Sequence, residues 1–427
     1  MNLLRCARTR SIHLLCVAIL CFAGGCIQNR PVYYRISSKY TVRDPQFTRT
    51  VGTLLGPPLV DGNRVETLVN GKQIFPAMLD GIRSAKKSIT LETYVYWKAA
   101  ISKQFTDALA ERAQAGVKVH VLVDWVGSGK IDQKYIKQIS DAGGEVHEYH
   151  AFHPLDPASW HNIDHRTHRK ILVIDGKLGF TGGVGIADEW TGNADNRKHW
   201  RDNHYRIEGP VVGQLQAAFC DNWMQTTGQV LEGDNYFPKL DNAGTQWAQM
   251  FRSSSNGGSE NMELLFLLSI SGAGQNIRME SAYFDPDALT RKRMIEAARR
   301  GVKIQILVPG ENIDEKVVRA ASRAHWGDLL KAGIEIYEYQ PTMIHCKLMI
   351  VDDTWVTIGS ANMDNRSFRL NDEANLDVHD EKFAGEQVAI FNNDLQNARQ
   401  ITLQLWEARS FREKLANALS SLLDWEI

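Results

Sequence analysis

The sequence predicts an α/β protein of two related halves, each a mixed sheet flanked by helices and together forming a pseudo-twofold, two-lobed body. Three observations carry this expectation. Helical stretches alternate with β-rich ones, the pattern of sheets covered by helices. The alternation repeats: "ALAERAQAGVKVHVLVDW" from Ala108 is echoed by "MIEAARRGVKIQILVPG" from Met294, and "DAGGEVHEYH" from Asp141 by "KAGIEIYEYQ" from Lys331. Finally, His-x-Lys-x-x-x-x-Asp occurs twice, as His168, Lys170, Asp175 and as His345, Lys347, Asp352, each followed seven residues later by a small pair.

In chain order, residues 1–26 place Arg5, Arg8 and Arg10 ahead of the apolar run "SIHLLCVAILCFAGGC", the layout of an export signal or a short membrane anchor. The small residues before Cys26 also fit a lipoprotein processing site. Residues 27–50, polar and holding Pro31 and Pro45, read as a tether. The first half, 51–225, runs from "NGKQIFPAMLDGIRSAKKSITLETYVYW" to the amphipathic "VVGQLQAAFCDNW". Residues 226–246, rich in Gly, Asn, Asp and Pro, read as the linker. The second half, 247–410, closes on "FAGEQVAIFNNDL". A last stretch, 411–427, spaces Leu415, Leu419, Leu422, Trp425 and Ile427 near a helical period, fitting either a helix packed on the second half or one lying at a membrane interface.

Bulk composition narrows the function classes. The 49 basic and 50 acidic residues cancel to a net charge of -1, which weighs against a nucleic-acid partner. Four of the six cysteines lie in the first 26 residues, leaving Cys220 and Cys346 as buried thiols, and no Cys/His spacing points to a metal.

The duplicated motif suits phosphodiester chemistry. Alternate strand residues share a face, so each histidine has a lysine beside it. The ammonium groups suit non-bridging phosphate oxygens, and the glycine-containing turns at Gly182-Gly183 and Gly359-Ser360 allow backbone N–H groups near the same anion. Two imidazoles flanking one phosphorus can divide the work, one attacking and the other moving the proton of the leaving or entering hydroxyl. With lysines and amides to neutralise charge, the scheme needs no metal or other cofactor. Asp175 and Asp352 belong to the motif and enter the candidate catalytic set, although their place after a strand also fits a turn-holding role.

These residues resemble the phospholipase D superfamily, and within it bacterial cardiolipin synthases, through "FTGGVGIADEW", "HWRDNHYRIEGPVV", "YQPTMIHCKLMIVDD" and "GSANMDNRSFRLNDEANL". The resemblance implies two related α/β sandwiches with the site between them. It also implies transfer of a phosphatidyl group between two phosphatidylglycerol molecules through a phosphohistidine, with glycerol released. It assigns His168 and His345 as nucleophile and general acid/base, with family habit favouring His168 as nucleophile. Lys170 and Lys347 become phosphate clamps, and Asn362, Ser360 and Gly183 phosphate-binding positions. Asp202 and Glu373 become the acids that orient the histidines. The first half departs from the pattern at Gly185, where the second carries Asn362. Arg166, Arg169 and Arg366 are candidates for headgroup contacts, and Trp190 and Trp200 for the lipid entrance. Phospholipid and membrane are the implied partners, with the catalytic body on the outer face of the bacterial cell membrane. Hydrolysis to phosphatidic acid, and a non-catalytic lipid-binding scaffold, are the competing readings.

Overall fold

The strands form where β-branched and apolar residues cluster, and the helices where polar and apolar residues alternate at helical period. The structure, a computed structural model, describes residues 34–36, 40–156, 159–160, 162–254 and 261–421. Residues 1–26 with Cys26, and the tail with Trp425, lie outside the described residues. From Ile36 onward the chain is one compact unit.

The first half contributes β1 (Val60–Val69), β2 (Ser88–Thr93), β3 (Lys118–Asp124), β4 (Glu145–Tyr149), β5 (Ile171–Ile174), β6 (Leu178–Gly182) and β7 (Asn203–Glu208). The second contributes β8 (Gln246–Ser253), β9 (Asn276–Ser281), β10 (Phe284–Asp285), β11 (Lys303–Pro309), β12 (Glu335–Tyr339), β13 (Lys347–Val351), β14 (Trp355–Gly359), β15 (Met363–Asp364), β16 (Glu373–His379) and β17 (Ala398–Ile401). Strand order is β17-β12-β11-β9-β13-β14-β16-β8 continuing into β1-β7-β6-β5-β2-β3-β4. Both half-sheets are mixed, with β2-β3-β4 and β9-β11-β12 parallel. β1 joins them: Val60 and Asn63 pair with β8, the register shifts, and Arg64 to Val69 pair with β7.

Eight helices matter for the site and its support: α1 (Pro45–Leu54), α2 (Asn70–Ser84), α3 (Ala100–Gln114), α4 (Val211–Thr227), α5 (Lys316–Ala324), α6 (Asn365–Arg369), α7 (Glu381–Leu395) and α8 (Phe411–Ser420). Val212, Leu215 and Phe219 of α4 and Phe383 and Ala384 of α7 share one buried cluster with Ile171 and Val173 of β5 and Leu348 and Ile350 of β13. These two helices therefore fill the space between the half-sheets. α4 stops at Gly228, whose φ of 72° suits a residue without a Cβ. Outside, α2 and α3 cover the first half-sheet.

One expectation needs adjusting. Residues 27–50 do not read as a tether throughout: Asp44 caps α1 by accepting from the Gln46 N–H, and Val42, Phe47 and Val51 are buried in the second half's core. Phe47 meets Trp355 edge-on at 5.0 Å. The segment closes an apolar gap in the half it does not adjoin in sequence. At the other end, α8 packs on α5 and is tied to it by Arg323 and Glu413 at 2.9 Å, yet Phe411, Leu415 and Leu419 face outward.

Candidate active site

Both motifs lie at the same end of their half-sheets. Register puts Glu92 opposite Ile171 and Ser281 opposite Lys347, so each His-x-Lys precedes or opens a strand beside the C-terminal end of an antiparallel neighbour. Backbone pairing then crosses between halves. The His168 N–H donates to the Asp372 carbonyl and the Asp372 N–H to the Arg166 carbonyl, both at 2.9 Å. On the other side the His345 N–H donates to the Arg201 carbonyl at 2.7 Å and the Arg201 N–H to the Met343 carbonyl at 2.8 Å. Each histidine is thus set in place by the acidic segment of the opposite half.

The side chains follow. His168 Nδ1 lies 3.0 Å from Glu373 Oε1, and His345 Nδ1 lies 3.0 Å from Asp202 Oδ2. Burial pushes the His168 imidazole down to about 4, outweighing the pull of Glu373 upward. Burial also pushes His345 down, with Lys347 adding to it. Burial works against a charged Glu373, but His168 and then Lys170 and the Ser360 hydroxyl hold its carboxyl down to about 2. For His168, a neutral imidazole donating Nδ1–H to a fixed carboxylate keeps a lone pair on Nε2, the arrangement a nucleophile or base requires, whereas Lys347 Nζ lies 3.2 Å from His345 Nε2.

Lys170 Nζ donates to the His168 carbonyl at 2.7 Å, and Lys347 Nζ to the His345 carbonyl at 2.8 Å. Burial and the neighbouring Lys347 push Lys170 down to about 7, and burial lowers Lys347. Lys170, a buried ammonium within electrostatic reach of Lys347, favours an anion beside it. His168, Lys170, His345, Asn362 and Arg366 line a single cavity of about 590 Å³. It is large enough for a headgroup and phosphate.

Other candidate positions have different work. Asp175 and Asp352 do not join the cavity. Seven residues beyond each histidine, at about 3.3 Å per strand residue, carries them to the far end of the sheet. There Asp352 accepts the N–H groups of Gly274, Gln275 and Asn276 at 2.8, 2.7 and 3.0 Å, and Asp175 those of Lys86, Lys87 and Ser88. Both hold φ near 52°, a left-handed turn that aspartate tolerates. They are turn locks, and their place in the catalytic set is corrected. Gly183 gives its N–H to the Asn203 carbonyl, and a Cβ there would stand 2.4 Å from Asp202 Oδ1. Its smallness makes room for the acid instead of presenting a donor to phosphate. Ser360 likewise spends its hydroxyl on Glu373 Oε2 at 2.5 Å. Arg166 and Arg169 are buried on backbone carbonyls, so neither reaches a headgroup.

Sequence reading did not single out Ser367, whose hydroxyl gives Glu373 Oε1 a further bond at 2.8 Å, or Tyr94, edge-on to His168 at 5.3 Å. The spacing "DNRSF" after the second motif held the only signal for the former. Among the described residues, no group of His, Cys, Asp and Glu is arranged to hold a metal ion.

Known proteins share this plan. A family described as "Cardiolipin synthase, PLD-like domain" matches residues 78–223 and 267–395. A cardiolipin synthase of Alkalihalophilus pseudofirmus is 35% identical over 369 residues, 86% of this chain and 73% of that protein. The major cardiolipin synthase of Bacillus subtilis is 33% identical over 367 residues, 85% of this chain and 75% of that one. In fold, the chain is similar to the crystal structure of a phosphatidylserine synthase of Haemophilus influenzae, with a TM-score of 0.67, 14% identity, and coverage of 89% of this chain and 99% of that one. With two matched PLD-like segments, and relatives more than 30% identical over most of their length, the chain belongs to the cardiolipin synthase family.

Proposed function

We propose that the protein is a phosphatidyltransferase that makes cardiolipin from two phosphatidylglycerol molecules by double displacement. The observation that carries this reading is the pair of imidazoles lining one cavity, each with Nδ1 on a carboxylate from the opposite half. His168 Nε2 attacks the phosphorus of the first lipid, the bond to the glycerol oxygen breaks, and His345 gives its proton to that oxygen. Glycerol leaves. The terminal hydroxyl of the second lipid then returns a proton to His345 and attacks the phosphorus, and the P–N bond breaks. Lys170, Lys347 and Asn362 hold the non-bridging oxygens throughout.

The membrane is the partner this substrate requires. In the same reading residues 1–26 hold the body at the outer face of the bacterial membrane, and residues 51–225 and 247–410 are its two lobes. Among the described residues no helix is long and apolar enough to cross a membrane. Expression in membranes that lack cardiolipin, with and without His168→Ala, tests the assignment. Cardiolipin dependent on His168 supports transfer. Phosphatidic acid alone supports hydrolysis, and neither product supports a non-catalytic scaffold.

A further inference from the structure

The two halves do not offer the same surface to the phosphorus. Where the second half carries Asn362, the first carries Gly185. A side chain at Gly185 has no room, since its Cβ would stand 2.8 Å from the Val95 Cβ and 3.1 Å from Trp190 Cζ3. The Trp190 indole occupies the volume that a matching amide would need. It is 3% exposed, and its Nε1 donates to Asp202 Oδ2 at 3.0 Å, so its one donor is already used.

Aromatic rings gather on that side. Trp190 meets His345 edge-on with centroids 5.2 Å apart, Trp200 lies tilted against the same imidazole at 5.5 Å, and Tyr283 approaches edge-on at 6.3 Å. By contrast, among the described residues His168 has Tyr94 alone as a ring neighbour. All four rings line the catalytic cavity, which Lys170, Asn362 and Arg366 line as well. Indole faces offer an anion nothing, so the charged phosphoryl group lies toward the ammonium and amide groups and the uncharged part of the substrate lies toward the rings. Beyond them the Tyr283 hydroxyl donates to Asp314 Oδ2 at 2.8 Å, and both line the cavity. That pair presents oxygen acceptors to hydroxyl groups.

The same imidazole that protonates the departing alcohol deprotonates the arriving one, so both alcohols occupy one place beside it. We infer that Trp190, Trp200 and Tyr283 form a single alcohol subsite for a small polyol, free or carried on a lipid, and that its apolar walls direct the phosphatidyl group to that alcohol instead of water. The subsite rests on the transfer reading above. Water held there would lack most of the 2–4 polar partners that a bound water needs, whereas a polyol finds ring faces for its carbons and Asp314 for its hydroxyls.

The test uses the full-length protein on phosphatidylglycerol vesicles, with cardiolipin, phosphatidic acid and incorporation of labelled free glycerol into phosphatidylglycerol measured together. In Trp200→Ala the ratio of phosphatidic acid to cardiolipin should rise by about tenfold or more, the scale of discrimination that a pocket contact supplies. Incorporation of free glycerol should fall with cardiolipin formation, because one place serves both alcohols. Trp200→Phe should restore the ratio. An unchanged ratio in a folded Trp200→Ala protein, or free-glycerol incorporation at the wild-type level while cardiolipin formation is lost, overturns the subsite. Wild-type protein that makes no cardiolipin overturns the transfer reading first, and the subsite with it.

Discussion

Glu373 lies 205 residues beyond His168, in the other half of the chain, yet its two oxygens stand 3.0 and 3.1 Å from the histidine's Nδ1. Asp202 and His345 repeat the relationship in the opposite sense. Glu373→Gln keeps the size and removes the charge that orients and supports the imidazole. The expected loss is about 10²–10⁴-fold in kcat, the range of a general acid–base contribution, read from steady-state cardiolipin formation. Wild-type kcat in this variant would separate the acid from the reaction.

The pH profile should be bell-shaped and centred on the acid side of neutrality. His168 must be neutral to attack, and its neutral form is lost as pH falls toward about 4. Lys170 must be charged to receive phosphate, and in the empty site it loses its proton as pH rises through about 7. His345, which must start protonated, is also shifted down by burial. Accordingly kcat/KM should already decline on the acid side of neutrality as His345 loses its proton, and fall further above about pH 7 as Lys170 loses its own. The second fall comes later in kcat, because a bound phosphate favours the protonated lysine. A profile still rising above pH 8 would contradict this protonation scheme.

Asp352→Asn should weaken the fold and spare the chemistry. It removes the charge that binds three successive backbone N–H groups at the end of the sheet remote from the cavity. A loss of about 1.5–3 kcal/mol is expected from bonds to a charged group, measured by denaturant unfolding, with kcat per folded molecule unchanged. Loss of kcat at full stability would return this aspartate to the catalytic set.

Arg201 ties the halves together by a buried pair with Asp394, Nη2 to Oδ2 at 2.6 Å. Arg201→Leu alone leaves a buried carboxylate unpaired and should cost about 3–5 kcal/mol. The double variant Arg201→Leu, Asp394→Leu should cost less than the single one, because it strands no charge. A double variant that unfolds more readily than the single would refute this account of the pair.

Sequence made the repeat and the paired histidines and lysines legible because each rests on local spacing. The crossed pairing was not, since which histidine Asp202 or Glu373 meets depends on how two distant segments meet. Spacing likewise brought Gly183 and Ser360 near the site without telling what their atoms touch. For Asp175 and Asp352 the signal was present, as strand rise over seven residues separates them from the histidines. The stretch 42–50 was misread for another reason. Val42 and Phe47 are its only large aliphatic or aromatic side chains and stand among polar neighbours, and the surface that buries them comes from the other half.

That arrangement carries a consequence for assembly. Phe47 and Trp355 are 355−47 = 308 residues apart, so residues synthesised near the start of the chain are seated only after most of it exists. Long-range closure of this kind is slow and leaves apolar surface waiting. Val42, Phe47 and Val51 reach their final seat only once the second half's core exists to receive them.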